Sequence, residues 1–263
     1  MVLIAVAGGT GTAGRAVVAE AVARGHAVRA ISRHLPDADD PRRVPGASYV
    51  TADFRTGTGV AAAFDGAHAV VETLDARTGA ALKALPATSV AVLAAASRAG
   101  VGRGVLLTIV NAAECSMGYY QVQASRARSY ASAGMPTSVV YATQFHDLVA
   151  GVFSAGARVG LIPAFPGVSF QPISTADVAR VLVDEAVAGL DGAGHHSVRA
   201  GGPSVWTMKA LAEQWKSATG RRGIVTSMPL PGAFGTFLRA GRNLVPEAAV
   251  GREEFGDWLA GRS

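Results

Sequence analysis

The sequence predicts an α/β protein: a doubly wound parallel sheet with helices on both faces and a small C-terminal lobe. Three observations predict it. An apolar run at the start of the chain breaks into a glycine-rich turn and then a helical pattern. Short β-like and helical stretches alternate through the first half, and that rhythm changes after about residue 142.

The first element organises the rest. Residues 2–7, VLIAVA, are long enough for one buried strand, residues 8–14 read GGTGTAG, and a helical pattern begins at Arg15. A strand, a glycine-rich turn and a helix in that order hold a dinucleotide pyrophosphate against a helix N-terminus, the arrangement of a Rossmann-type sheet. The glycines serve different ends. Gly8 allows the sharp turn, Gly11 allows backbone N–H groups to approach phosphate, and Gly14 allows close helix–strand packing. Thr10, Thr12 and Ala13 line the same loop. The spacing is G-x-x-G-x-x-G and not the usual G-x-G-x-x-G, so position after the strand carries the assignment.

Further strands are expected at 26–31, 48–52, 68–73, 104–110 and 137–141, with helices at 13–24, 57–64, 86–99 and 120–133 between them. This βαβ rhythm specifies a parallel sheet. Gly25 and Gly100 stand where C-caps end two helices. Beyond residue 142 a helix is expected at 144–156, then a Pro/Gly-rich loop and a short strand at 170–173. A helix opened by Ser174-Thr175-Ala176-Asp177 follows, with Asp177 assigned to capping. Helices near 207–219, 231–242 and 252–260 complete the chain. The organisation expected is one dinucleotide-binding domain over 1–263, residues from about 142 supplying most of a small substrate-binding lobe at the C-terminal ends of the strands.

Composition narrows the class. With 263 residues, 49% hydrophobic and 16% charged, the chain can bury a full core. No apolar run reaches the roughly 18–20 residues that span a bilayer. No basic segment precedes the first strand, so neither a signal peptide nor a membrane partner is expected. The single cysteine, Cys115, fits a reducing compartment, and a cytoplasmic location is expected. A net charge of +5 with a pI near 9.8 invites a nucleic-acid reading, but the arginines are scattered and no basic helix carries interleaved aromatics. A mild positive field equally suits an anionic cofactor. His195-His196 lack further ligands, so no metal site is expected.

The second strand ends in Ser32-Arg33-His34. An NAD-preferring site has an acidic residue there for the ribose hydroxyls. This chain offers Arg33 instead, helped by Ser32 or His34, and therefore points to NADP(H). Asp53-Phe54 follows the third strand; the carboxylate can accept from an adenine amino group while the ring covers it, or Asp53 can serve a turn. Glu72 and Asp75 flank the end of the fourth strand as further candidates to face the pocket, with Thr73 and Leu74 between them beside the expected cofactor.

These residues resemble the atypical short-chain dehydrogenase/reductases, in particular the NmrA-like NAD(P)-binding group. The similarity rests on AGGTGTAG at 7–14, Ile31-Ser32-Arg33, Asp53-Phe54, YATQFH at 141–146, FQPISTADVA at 170–179, PLPG at 229–232 and the closing Trp258-Leu259, and so covers nearly the whole chain. By that resemblance Ala142, Thr143, Gln144 and Phe145 contact the cofactor. The resemblance also implies a catalytic Tyr-x-x-x-Lys on the helix after the fifth strand. Here Tyr119 is followed four residues on by Gln123, and no lysine occurs between Lys83 and Lys209. In the family the lysine bonds the nicotinamide ribose and lowers the tyrosine's pKa. Gln123 can do the first but brings no charge for the second, which is worth on the order of 3–4 kcal/mol at about 4–6 Å. Tyr119 is then a poor base and still a hydrogen-bond donor. Arg126 shares the helical face of Tyr119 and Gln123, about 10 Å from Tyr119 along the axis. It either compensates for the lysine or is solvated. Thr108 falls where the family's active-site serine does; its hydroxyl can hold a substrate carbonyl, or the residue can simply pack. His146 is a further candidate for the pocket.

The function this implies is NADPH-dependent reduction of a small carbonyl or conjugated alkene, with Tyr119, Thr108, Gln123 and His146 as the catalytic set and a small-molecule substrate as partner. Two other classes fit the same residues: an NADP-binding regulator or redox sensor without turnover, and a non-redox isomerase or cyclase on the same fold.

Overall fold

The computed structural model describes residues 1–188 and 194–262. Its elements, in order, are β1 (Leu3–Ala7), α1 (Thr12–Ala23), β2 (Ala27–Ser32), β3 (Ser48–Thr51), α2 (Val60–Phe64), β4 (Ala69–Glu72), α3 (Gly79–Arg98), β5 (Arg103–Ile109), α4 (Gly118–Ala131), β6 (Thr137–Ala142), α5 (His146–Ala157), β7 (Leu161–Ala164), β8 (Ser169–Phe170), α6 (Thr175–Val187), β9 (His195–Ala200), β10 (Trp206–Thr207), α7 (Met208–Thr219), β11 (Ile224–Ser227), α8 (Gly232–Arg239) and α9 (Phe255–Ala260). Seven strands form one sheet in the order β3-β2-β1-β4-β5-β6-β9, and the neighbours from β3 to β5 pair in parallel. This is the Rossmann-type α/β architecture expected from the sequence. The chain divides into two compact units: Met1–Thr108, Gly118–Val140 and Val178–Val198 form the first, and Ile109–Met117, Tyr141–Asp177 and Arg199–Ser263 the second.

In the first unit β1 is an unbroken apolar run because a parallel strand is covered on both faces; Ile4, Ala5, Val6 and Ala7 are fully buried. Phe54 and Phe64 stack at 5.6 Å within a core that also holds Ile31, Val70 and Val92. The expected helix at 86–99 begins seven residues earlier and carries Pro86 inside it. An interior proline costs about 3 kcal/mol. The good helix formers Ala80, Ala81, Leu82 and Ala84 and the burial of Leu85 offset it. By length and composition α3 is apolar enough to cross a bilayer, contrary to the expectation for any stretch of this chain. In the fold it buries Leu85, Val92, Leu93, Ala95 and Ala96.

A buried polar network joins β4, α3 and α4. Glu72, the last residue of β4, is wholly buried and accepts from Arg126 Nη2 at 2.8 Å, Ser89 Oγ at 2.6 Å and Tyr130 Oη at 2.7 Å. Arg126 Nε also donates to Ser89 Oγ at 3.0 Å. Two expectations are corrected. Arg126 is not a solvated arginine, being 1% exposed, and Glu72 does not face a pocket, because its carboxylate is consumed by this network. An ion out of water needs a partner and filled hydrogen bonds, and each charge here answers the other.

The second unit has its own core of Val149, Phe153, Ile162, Met208, Leu211, Trp215, Phe255 and Leu259. Two small sheets edge it, β8 antiparallel to β10 and β7 parallel to β11. The strand expected at 170–173 is only Ser169–Phe170, and beyond it Ile173 makes an isolated bridge to Phe145. Pro172 has no N–H to extend a ladder. Ser174 is the cap residue of the helix assigned to Asp177: its Oγ accepts from Asp177 N, while Asp177 Oδ2 accepts from the backbone of Arg252 and Glu253. His146, expected in the pocket, is 1% exposed; its ring lies 5.6 Å from Phe255 and 5.4 Å from Trp258, and its Nε2 bonds Glu253 O at 3.1 Å. A ring enclosed by aromatics with one nitrogen engaged has no face for substrate, and the catalytic assignment of His146 is corrected.

Glu72→Ala, which strands the Arg126 charge, is expected to cost about 3–5 kcal/mol in urea unfolding, and Glu72→Leu combined with Arg126→Met to recover most of it. Burial, only partly opposed by the bond to Glu253, holds the His146 imidazole below its usual pKa of 6.5. The unfolded chain therefore takes up the proton first. The stability contributed by neutral His146 is complete above about pH 6.5 and lost as pH falls below it. Thermal unfolding followed from neutral to acidic pH should show that loss, and His146→Phe should flatten it.

Candidate functional site

At the C-terminal end of β1 the strand order turns, with β2 on one side and β4 on the other. Open α/β sheets bind ligands at such a point. Gly8 stands there with φ +87°, and its N–H donates to Ile31 O at 2.9 Å. Gly11 N–H closes the turn onto Gly8 O at 2.9 Å. A Cβ on Gly14 would fall 2.1 Å from Gly8 O, so no other residue lets α1 start so close to the strand. Gly9, to which the sequence alone assigns no role, is equally constrained: its Cβ would meet Ala30 Cβ at 2.8 Å. Gly11 is exposed, and a Cβ there would meet Gly8 O at 3.3 Å.

Thr12, Ala13 and Gly14 form the first turn of α1, whose leading N–H groups have no acceptor one turn back. Among the described residues no side chain caps this end, and no acid lies in its first turn. A positive helix end framed by glycines and left uncapped fits a pyrophosphate. Thr10 Oγ1 donates to Ser32 Oγ at 2.9 Å and ties the turn to the end of β2, where Arg33 and His34 follow, both exposed. Just after β4, Thr73 donates through N–H and Oγ1 to Ala7 O at 2.9 and 3.1 Å, and Leu74 N lies among the atoms nearest Gly8. The structure thus gathers Gly8, Thr10, Gly11, Thr12, Ala13, Gly14, Ser32, Thr73 and Leu74 around one turn.

The next pair departs from expectation. Phe54 belongs to the core beside Phe64 and covers no ligand surface, and Asp53 Oδ1 accepts from Arg55 N at 2.8 Å, which is the turn role.

On α4, Tyr119 Oη donates to Asp75 Oδ1 at 3.0 Å, and Gln123 Nε2 approaches the same oxygen at 3.3 Å. Arg126 Nη1 donates to Gln123 Oε1 at 2.7 Å. An arginine only donates, so this contact assigns the amide's two ends: Oε1 faces Arg126 and Nε2 faces Asp75. Burial first, then the charge and hydrogen bond of Asp75, push the Tyr119 phenol up to about 12, against a smaller opposing pull from the Gln123 bond. Where the family resemblance implies a cation beside the tyrosine, this chain has a carboxylate. Thr108 is buried, and its Oγ1 donates to the Gln123 backbone O at 3.4 Å, in keeping with the packing role. Two members of this cluster, Ser89 and Tyr130, are missing from the expected set. Tyr130 carries a partial signal, since Tyr119, Gln123, Arg126 and Tyr130 recur at helical spacing along one face of α4.

In the second unit Ala142, Thr143 and Gln144 are buried. Thr143 Oγ1 donates to Gln171 O, and Gln144 pairs with Asn243, Oε1 accepting from Asn243 Nδ2 at 3.3 Å. These two side chains are used internally, against the expectation of cofactor contact. Phe145 is half-buried at the start of α5 and bridges Ile173.

Comparison with known proteins agrees with the first unit's turn. No curated protein matches the chain by sequence. Among solved structures, an NADPH-dependent quinone oxidoreductase of Escherichia coli complexed with NADPH superposes with a TM-score of 0.79 at 16% identity, covering 98% of this chain and 99% of that one. A UDP-glucose-4-epimerase of Stenotrophomonas maltophila with bound NAD gives 0.76 at 15%, over 100% and 98%. A nucleoside-diphosphate-sugar epimerase of Staphylococcus aureus gives 0.67 at 18%, over 99% and 96%. At these identities the likeness is one of fold. A family described as NAD(P)H-binding matches residues 8–188, from the first glycine of the turn to the end of the helix preceding β9. With a helix end shaped for a pyrophosphate lying inside that match, the chain belongs to the NAD(P)H-binding family.

Proposed function

We propose that the protein is an NADPH-dependent reductase of a small carbonyl or conjugated-alkene substrate, of the atypical short-chain, NmrA-like type, acting in the cytoplasm. The observation that carries the proposal is a geometric one inside the NAD(P)H-binding match: Tyr119 Oη donates to Asp75 Oδ1 at 3.0 Å and so stands as a protonated hydrogen-bond donor, in keeping with a phenol raised to about 12. Reduction of a carbonyl requires that donor.

The glycine turn and the start of α1 hold the pyrophosphate, Ser32, Arg33 and His34 receive the 2′-phosphate, and Gln123 offers an amide proton to the nicotinamide ribose. Bound NADPH supplies the hydride. Tyr119 donates from Oη to the substrate oxygen as charge develops on it, and Asp75, exposed beside it, connects the phenol to solvent for its return proton. The quinone oxidoreductase neighbour supports a redox reading, and the epimerase neighbours keep a non-redox one in view. A sensor without turnover is favoured by one observation, the Tyr119–Asp75 bond, which engages the donor before any substrate arrives.

By calorimetry NADP(H) should bind at least about tenfold tighter than NAD(H), roughly 1.4 kcal/mol, and Arg33→Ala should remove most of the gap; equal affinities in the parent protein would refute the 2′-phosphate assignment. Turnover should be flat in pH with respect to Tyr119 until strongly alkaline conditions. Gln123→Lys places a cation that favours phenolate, so the alkaline limb should move to lower pH, and Tyr119→Phe should cost about 10²-fold in rate. Unchanged turnover in Tyr119→Phe would remove it as the donor.

A further inference from the structure

Two donors converge on one oxygen in the first unit. Tyr119 Oη lies 3.0 Å and Gln123 Nε2 3.3 Å from Asp75 Oδ1. The amide is not aimed there by chance contact at the surface. Gln123 is 3% exposed, and its amide is turned by Arg126, which is itself locked by the wholly buried Glu72 and Ser89. Reversing the amide would set its NH2 against a guanidinium with no acceptor between them, so the orientation is imposed from the core. Asp75 is the opposite case. It lies in the loop between β4 and α3, outside the buried core that holds Glu72 and Arg126. A fixed donor pair and an acceptor on a loop make a preorganised oxygen-binding arrangement filled by a side chain of the same molecule.

We propose that Tyr119 Oη and Gln123 Nε2 form a two-donor site for a carboxylate or carbonyl oxygen, that Asp75 is its internal occupant, and that the incoming oxygen displaces it. This deepens the reductase reading, on which the identification of that oxygen as the substrate's rests. Arg126 is then a positioning residue: it touches no reacting atom and acts by presenting Nε2. Since Nε2 carries two protons, one on this oxygen leaves the other for a ribose hydroxyl. The site's present occupant is itself a carboxylate, so small carboxylates are the natural probes. Acetate reproduces the group that Asp75→Ala deletes.

The test follows the Tyr119 ring carbon bonded to oxygen by NMR in protein labelled at tyrosine Cζ, at neutral pH, with Tyr119→Phe assigning the resonance. Asp75→Ala should shift that resonance, and titrated acetate should return it saturably toward the parent position. Asp75→Ser serves as a second truncation, with circular dichroism confirming the fold of each. Adding Gln123→Met, or Arg126→Met to misdirect the amide, should weaken acetate at least about tenfold. Saturating NADP+ should leave acetate bound. No response to acetate, or a response indifferent to Gln123→Met, overturns the two-donor site; displacement of acetate by NADP+ overturns it by giving the oxygen position to the cofactor. If acetate behaves as expected but the parent protein oxidises NADPH with no aldehyde, ketone, quinone or enone, the oxygen site stands and the reductase reading fails.

Discussion

A carboxylate stands at the end of a strand with no solvent beside it, and much of the first unit is arranged to answer it. Glu72 takes three donors from two helices, Arg126, Ser89 and Tyr130, and so fixes how α3 and α4 lie against β4. An unpaired charge in that position would cost several kcal/mol, which makes the arrangement close to all-or-none. Its consequence reaches the surface through a single contact. Arg126, held by Glu72, turns the Gln123 amide, and the amide then shares Asp75 Oδ1 with Tyr119. Buried electrostatics thereby set hydrogen-bond direction at a position where the family resemblance implies a lysine.

The other organising constraint is steric. At the glycine turn the chain passes within contact distance of itself and of β2, so that Gly9 and Gly14 leave no room for a Cβ and Gly8 adopts a positive φ. Crowding inside the turn is what brings the uncapped end of α1 up to the strand order's switch point. Gly11 is exposed and less crowded than Gly9 or Gly14: a Cβ there would meet Gly8 O at 3.3 Å. The same motif therefore has two kinds of glycine: those whose side chain the protein's own backbone excludes, and one at the exposed tip of the turn.

Legibility differs between the two units for a physical reason. Strands β1, β4, β5 and β6 are buried along most of their length and β2 along half of it, and burial writes itself into sequence as apolar runs; their expected positions, and that of the more exposed edge strand β3, lie within one residue of those observed. The strands β7, β9, β10 and β11 have no counterpart among the expected elements. β9 reads HHSVRA and is mostly outside the core, and β10 has two exposed residues, so neither carries a period that hydrophobicity could reveal. Phe54, His146, Thr143 and Gln144 mislead in a common way. Each is of a type that serves ligands well, and each is occupied by a neighbour that the fold supplies.

The chain's own order of residues determined the Rossmann-type sheet, the place of the glycine turn, the lack of an acid at the end of β2, and a glutamine four residues after Tyr119 where the family resemblance implies a lysine. These are local facts, since strand periodicity, turn sterics and helix spacing act over a few residues. Only the tertiary structure decided that Arg126 is buried, that Gln123 presents its nitrogen, and that Tyr119 faces Asp75. Those outcomes depend on Glu72 and Asp75 meeting a helix more than 40 residues further along the chain. A charge placed in low dielectric takes its partner from whatever the fold brings within hydrogen-bond reach, and no local pattern announces which residue that will be.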